Sequence, residues 1–170
     1  MRRLVLALGT IAVVATGCSQ PPPAPSPSPA PPAPAQPLPD PRPAGTGPCP
    51  YLATSFVADA NGQHVSKVQT SGGQPPSCFF YALNGKLQLT VQVYVGEAGV
   101  AKALVDKAAP MTSSNPANEP AGWRGGYERT DTGAVYAVSK AGAAVVVTTN
   151  QKQTVKARTV AKQTISALGL

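Results

Sequence analysis

The sequence has few of the residues that commonly carry catalytic and metal-binding chemistry. Its 170 residues include one histidine, three cysteines and seven acidic residues. The histidine, His64, has no Ser-centred motif to pair with, and we interpret it as a surface residue. Two cysteines and one histidine also fall short of the four ligands of a closed zinc site. We therefore expect no metal and no cofactor.

The acidic residues are also too scattered to predict a catalytic pair. A paired-acid hydrolase needs two carboxylates brought to one cleft, and no spacing here indicates that. No glycine-rich phosphate loop follows a strand, because the glycines fall in turns. We expect a non-enzymatic protein. The carboxylates of the predicted domain are Asp59, Glu97, Asp106, Glu119, Glu128 and Asp131.

The chain begins with a short apolar segment. Arg2 and Arg3 precede an apolar run at residues 4–14, and small residues lead to Cys18. This pattern is typical of a secretory signal peptide and too short for a membrane span. It resembles the bacterial lipoprotein signal (lipobox), which implies cleavage before Cys18 and diacylation of its sulfur. The match departs at Ala15, where leucine is preferred; the alternative is an ordinary cleaved signal that leaves a free thiol.

Proline is concentrated in one segment after the signal. Fifteen of the 20 prolines lie at positions 21–50. Because proline lacks the N–H, residues 19–47 favour polyproline II and are not expected to join a helix or sheet. At about 3.1 Å per residue they would span on the order of 90 Å as a semi-rigid stalk. The alternative is a ligand for a proline-recognising domain.

We therefore expect three parts: a signal peptide at 1–17, a lipidated cysteine with a disordered proline-rich linker at 18–48, and a domain at 49–170. The net charge of +7 becomes about +5 once Arg2 and Arg3 are removed. Without blocks of Lys or Arg, this predicts no nucleic acid, and an anionic envelope surface fits diffuse charge better. The basic C-terminal helix either faces such a surface or is simply solvated. Its basic residues are Lys152, Lys156, Arg158 and Lys162.

The pattern within the domain predicts an α+β fold. The clearest signals are Asn84-Gly85, typical of a hairpin, and strict alternation over residues 86–95 with Leu87, Leu89, Val91, Val93 and Val95 on one face. Hairpin connections throughout favour a single domain with an antiparallel sheet and helices packed against it. We predict helices at 50–59, 98–109 and after Asn150, strands at 64–70, 78–83, 86–95, 127–130, 134–139 and 143–149, and a structureless loop at 110–126. The apolar spacing predicts one buried face on each of the last two helices: Val100, Ala103, Leu104 and Ala108 on the second, and Ala157, Val160, Ala161, Thr164 and Leu168 on the third.

Two further residue pairs stand out. Cys49 and Cys78 remain once Cys18 is assigned to the signal, and in an exported, oxidising setting we expect a disulfide between them. Trp123 and Arg124 lie in the predicted loop, where a tryptophan beside an arginine either binds a ligand or pins the loop to the core. We expect partial burial of Trp123 at the edge of a cleft.

Several motifs together resemble a known family. Residues 48–170 are similar to uncharacterised actinobacterial, mycobacterial-type lipoproteins with one extracytoplasmic domain of unknown function. The plan of two cysteines around an α+β body is also similar to other mycobacterial and corynebacterial lipoprotein domains, including sensor domains of receptor kinases. Neither resemblance implies a catalytic residue. The motifs are Pro48-Cys49-Pro50-Tyr51-Leu52, Ser77-Cys78-Phe79-Phe80-Tyr81, the strand at 86–95, Ala121-Gly122-Trp123 and Val147-Thr148-Thr149-Asn150-Gln151.

These observations together predict a membrane-anchored envelope lipoprotein. Its domain would lie at the extracytoplasmic face of the plasma membrane, held by the lipid on Cys18. We expect a non-enzymatic binding or sensing module whose partner is an envelope protein, a glycan or a lipid. The alternative is a carrier or accessory factor for hydrophobic envelope molecules, with a cavity between sheet and helix. An envelope hydrolase is the least favoured class.

Overall fold

The computed structural model describes residues 38–170. The predicted signal peptide, Cys18 and most of the proline-rich linker therefore lie outside the described residues. None of the helices in residues 38–170 is long and apolar enough to cross a membrane.

The described residues build one antiparallel sheet of eight strands. In space the strands run β1-β2-β3-β4-β8-β7-β6-β5, and every neighbouring pair is antiparallel. The predicted α+β domain with an antiparallel sheet is thereby confirmed. The strands are β1 Gly45–Thr46, β2 Val65–Thr70, β3 Cys78–Ala82, β4 Leu87–Val95, β5 Asn115–Glu119, β6 Trp123–Thr130, β7 Gly133–Lys140 and β8 Ala143–Thr149.

Three helices cover the sheet unequally. The helices α1 (Thr54–Asn61) and α3 (Thr154–Leu168) pack on one face, over the larger part of the core. The helix α2 (Ala98–Ala108) packs on the other face, against β6, β7 and β8. One short helix covers only part of that face, and residues 38–42 lie along one side of it, where Asp40 pairs with Lys107. An open groove lies along its other side.

The alternation predicted for β4 holds in its centre. Leu89, Val91 and Val93 are buried under α1 and α3, as expected from period two. The alternation fails at Leu87, because a β-bulge at Gln88 in the pairing of β4 with β3 places Leu87 on the α2 face, where it is exposed, and Val95 is exposed at the other end of the strand. In α3, the predicted inward residues Ala157, Val160, Ala161 and Thr164 are buried, and Leu168 is half-buried.

The other two helices differ from prediction, α1 in the residue where it begins and α2 in the face that it buries. The first begins at Thr54 rather than residue 50, because residues 50–52 form a turn. In α2 the buried face is Ala101, Leu104 and Val105. Of the expected residues Val100, Ala103, Leu104 and Ala108, only Leu104 is fully buried. The helix is rotated about its axis relative to the expected orientation, so Ala101 and Val105 face the sheet beside Leu104.

The segment at residues 110–126 was predicted to be structureless, and that prediction is wrong. It contains β5, a 3-10 turn at Pro120–Gly122 and the beginning of β6. β5 reads NPANE and has no strand-like composition, yet all five of its residues pair with β6. It lies at the edge of the sheet, where a proline is tolerated.

The N-terminal boundary of the sheet also lies earlier than expected. Gly45 and Thr46 pair with Thr70 and Gln69, so part of the stretch expected to stay outside the sheet joins it. A few residues on, the Cys49–Cys78 disulfide is present, with Cα atoms 5.7 Å apart, as predicted. The bond ties the chain ahead of α1 to the first residue of β3.

Candidate functional site

A groove lies beside α2, on the side facing β5, β6 and β7. We call it the α2 groove; its cavity volume is about 530 Å³. A volume of this size falls within the range of small-molecule sites, roughly 300–1,000 Å³. Its lining is mostly apolar with a few charged and hydroxyl groups, and it includes Lys102, Val105, Asp106, Ala109, Met111, Pro116, Arg124 and Ser139.

The two ends of the groove differ in chemistry. Arg124 and Ser139 are cross-strand partners on β6 and β7, and Lys102 lies in the first half of α2. Ala109 and Met111 follow the last turn of the helix, and Pro116 pairs with Gly126 two residues along β6 from Arg124. The groove therefore has a polar end near the beginning of α2 and an apolar end near its finish.

A glycine fixes the depth of the apolar end. A Cβ at Gly126 would lie 2.4 Å from the Ser114 hydroxyl oxygen and 3.1 Å from the Ala109 Cβ. Only glycine lets β6 approach the end of α2 this closely. Met111 stands at this end with 85% of its surface exposed, and its flexible thioether side chain suits irregular apolar ligands.

Arg124 supplies the net positive charge of the groove. Its Nη1 donates to Asn118 Oδ1 at 3.0 Å, and among residues 38–170 no carboxylate lies within ion-pair distance of it. A guanidinium carries five N–H donors, so one contact leaves most of them available. Lys102, in contrast, is paired with Asp106 one turn along α2, at 2.5 Å.

A second group of ionisable residues meets on the opposite face of the sheet. The side chain of Glu119, 4% exposed, accepts hydrogen bonds from Arg158 Nε and, at 3.2 Å, from Arg158 Nη2. The Tyr136 hydroxyl donates to the same carboxylate at 2.6 Å. We call these three residues the Glu119 clasp, because they join β5, β7 and α3.

The clasp holds each group in its ordinary ionisation state. Hydrogen bonding from Arg158 keeps the pKa of the Glu119 carboxyl below its usual value, against the opposing effect of burial. Burial, and then the hydrogen bond to Glu119, raise the pKa of the Tyr136 phenol. A carboxylate already held by an arginine and a tyrosine is a poor proton acceptor, so the arrangement favours a structural role.

A third polar cluster is largely buried. Asn61 donates to Gln88 Oε1 at 2.9 Å and accepts from the Thr149 hydroxyl, and Lys156 donates to the Asn61 carbonyl at 2.9 Å. Gln88 in turn donates to the His64 carbonyl. These bonds join the end of α1 to β4, β8 and α3, and they satisfy polar groups that would otherwise be costly to bury.

The side chains of Trp123 and Arg124, which were considered together as a ligand-binding pair, lie on opposite faces of the sheet. Trp123 is only 2% exposed and belongs to the core under α3, which corrects the expected partial burial. Arg124, its neighbour, is exposed and lines the α2 groove on the other face. His64 is exposed, as predicted. A ligand-binding role for either Trp123 or Arg124 stays a prediction.

The basic residues of α3 and its approach are likewise divided. Lys156 and Arg158 are engaged within the domain, by the Asn61 carbonyl and by Glu119. Lys152 and Lys162 are exposed. Half of the charge that could have faced an anionic surface therefore stabilises the fold instead.

Sequence reasoning missed most of the residues that the fold brings together. Glu119 and Arg158 are 39 positions apart, and Lys102 and Arg124 lie on a helix and a strand that no local pattern places side by side. Among residues 38–170, no group of three His, Cys, Asp or Glu residues could hold a metal ion.

One comparison with known proteins identifies the family of the chain. Residues 31–170 match the family model described as Domain of unknown function (DUF2020). The match covers most of the chain, including every described strand and helix, and the chain therefore belongs to this family. No curated protein matches the sequence.

Proposed function

We propose, from membership of this family and from the geometry of its domain, that the protein is a non-enzymatic ligand-binding module held at the outer face of the plasma membrane by a lipid on Cys18. The observation that carries the binding role is the α2 groove, an open cavity of about 530 Å³ with a mostly apolar lining. Exposed apolar surface of this kind is typical of binding sites. The Glu119 clasp and the Asn61 cluster support a non-enzymatic role, because their polar groups are committed to one another.

The location rests on the sequence and on the disulfide. Cys18 follows a signal-like segment, and the Cys49–Cys78 bond is compatible with an oxidising compartment. Lipid anchoring itself is inferred from the lipobox-like residues 15–18.

The binding role is tested by asking what the groove holds in the native envelope. The full-length mature protein is purified from membranes, and molecules released on denaturation are identified by mass spectrometry. Ser139→Phe is the comparison variant, because a half-buried strand residue at the groove floor can be enlarged into the cavity. Thr90→Phe is the matched control: Thr90 is also a half-buried strand residue, but it faces a different cavity.

We expect a small molecule to accompany wild type and Thr90→Phe and to be absent from Ser139→Phe. If all three folded proteins carry the same molecules, or none carries any, the groove is not a binding site and the proposal is wrong.

The apolar lining favours a second candidate, a carrier for hydrophobic envelope molecules. A sensor keeps its ligand until it signals, whereas a carrier passes it on. The measurement is the transfer of a fluorescent lipid between two populations of vesicles. A transfer rate that rises with the concentration of the wild-type protein, but not with that of Ser139→Phe, would favour the carrier.

A further inference from the structure

We infer that the α2 groove binds a single-chain amphiphile with an anionic head, with the head at Arg124 and the chain directed toward Met111. This rests on the proposed function, because it names the ligand class for the same groove. Its support comes from three features: the charge at one end of the groove, the apolar surface at the other, and the volume between them.

The polar end fits a carboxylate or phosphate. Arg124 is exposed and uses one of its donors on Asn118, and among the described residues it has no acidic partner. A guanidinium with free donors binds planar or tetrahedral oxyanions through parallel hydrogen bonds. The Ser139 hydroxyl, opposite Arg124 on β7, offers a further donor. Lys102 adds little, since Asp106 neutralises it.

The apolar end fits a hydrocarbon chain. Val105, Ala109, Met111 and Pro116 line it, and the close approach of Gly126 to Ala109 brings β6 up to the end of the helix. Two polar groups lie nearby and are already engaged: the Ser114 hydroxyl is directed to the Ala109 and Pro110 carbonyls, and Asp106 is paired with Lys102. A chain lying there would contact methyl and methylene groups and displace water from them.

The volume sets the number of chains. At about 30 Å³ for a water-sized group, a cavity of about 530 Å³ holds roughly 18 such groups. That accommodates one medium-length chain with its head. Two long acyl chains have a larger volume than the groove and would leave part of their length in water, so the groove favours a single-chain amphiphile over an intact two-chain lipid.

The test uses three probes that share one chain: tetradecanoate, tetradecyl phosphate and tetradecanol. Binding to the full-length mature protein is measured by equilibrium dialysis below the aggregation limit of each probe. A charge-assisted hydrogen bond contributes enough that we expect both anions to bind about tenfold or more tightly than the alcohol. Raising the salt concentration should narrow that difference.

Arg124→Ala should reduce the affinity for both anions by about tenfold and leave tetradecanol unchanged. Arg129→Ala is the matched control, because it removes the same charge from an exposed position on the same strand. A preference for tetradecyl phosphate over tetradecanoate would indicate a phosphate head, and the reverse a fatty acid; either supports the inference.

Equal binding of all three probes with no effect of Arg124→Ala overturns the anionic head. If Ser139→Phe still abolishes that binding, the groove remains a site and only the ligand class is wrong. If no probe binds to wild type, the single-chain ligand is wrong, and the molecules that co-purify with wild type but not with Ser139→Phe decide the proposed function separately.

Discussion

Trp123 and Arg124 are consecutive residues of β6, and their side chains leave opposite faces of the sheet. Successive Cβ atoms alternate along a strand, so the indole enters the core under α3 while the guanidinium reaches the α2 groove. One residue therefore contributes to stability and the next is available for recognition. A single stretch of sequence cannot show this division until the strand itself is known.

Trp123→Ala should lower the free energy of unfolding by about 3–5 kcal/mol, as for other large aromatic residues removed from a core. Arg124→Ala, its neighbour, should change it by less than about 0.5 kcal/mol because that side chain is exposed. Chemical denaturation of both variants measures the two values. Small and equal losses would contradict the core position of the indole.

The Glu119 clasp makes stability depend on pH. Arg158 holds the pKa of the Glu119 carboxyl down in the folded protein, so the unfolded chain, with its carboxyl near about 4.3, binds the proton first as the solution is acidified. The stabilisation is therefore complete above that value and is lost as the pH falls through the lower, folded pKa.

Glu119→Gln should reduce the free energy of unfolding by about 1–2 kcal/mol near neutral pH, a modest loss because the Arg158 side chain is half exposed. It should also flatten the decline in stability between about pH 7 and about pH 3 relative to wild type. Denaturant unfolding across that range is the measurement. Glu128→Gln, which removes a carboxyl group from β6, is the control, and its stability should vary with pH as that of the wild type does. If the free energy of unfolding has the same pH dependence in all three proteins, the role of the clasp is refuted.

At this scale, sequence reasoning succeeded where a residue carries its own signal. The cysteine count predicted the Cys49–Cys78 bond, and period two predicted that Leu89, Val91 and Val93 are buried. It failed where the role of a residue depends on a partner that is distant in sequence. Glu119 was one of six scattered acids until the fold brought it to Arg158.

At the scale of elements, the disulfide fastens the segment before α1 to β3. It closes a loop of 29 residues, and both of its cysteines are buried. In the chain-entropy account, a loop of this length stabilises the fold by about 3–4 kcal/mol by restricting the unfolded chain. The segment it fastens also carries Tyr51 and Leu52 into the core.

Replacing both cysteines by alanine should therefore lower the free energy of unfolding by about 3–4 kcal/mol. Reducing agent should destabilise the wild type by a similar amount and leave the double variant unaffected, which provides an internal control. Denaturant unfolding with and without reductant measures both. Two reactive thiols in the wild type isolated from the envelope would show that the bond does not form there.

The elements themselves were predictable where local pattern and tertiary role agree. β4 carries a clear period of two, and β7 and β8 are apolar runs between hairpin turns; all three were found close to their observed bounds. The buried face of α3 was also predicted, although the helix begins at Thr154 rather than directly after Asn150. β5 could not be found, because Asn115, Pro116 and Asn118 have poor strand propensity and only pairing with β6 makes them a strand. The face of α2 was missed by one position because so many of its residues are alanine or valine.

At the scale of the whole molecule, the sheet is covered on one face by two helices and on the other by one. The larger part of the core therefore lies under α1 and α3, and the α2 groove forms where the covering on the second face stops. The sequence predicted a cavity between sheet and helix only as an alternative, since its existence depends on how much of the sheet α2 covers. Stability is thus concentrated on one face, and the other is left with room for a ligand.

The attachment of this domain to a membrane is a separate prediction, carried by Cys18 outside the described residues. Cys18→Ala should move the full-length protein from the membrane fraction to the soluble fraction, because a diacylglyceryl group supplies the two chains that stable anchoring requires. Electrostatic attachment through exposed residues such as Lys152 and Lys162 would be screened at high salt, whereas a lipid anchor would not. Fractionation at low and high salt separates the two.

The matched control is Lys152→Ala/Lys162→Ala, which retains Cys18 and should stay with the membrane at both salt concentrations. Mass spectrometry of the mature N-terminus should show an acylated cysteine in this control and in the wild type. Cys18→Ala that still sediments with membranes at high salt would exclude the lipid anchor. It would then require that the domain binds the envelope directly through contacts that salt does not screen. Cys18→Ala that sediments at low salt and is released at high salt would instead assign the remaining attachment to charges such as those of Lys152 and Lys162.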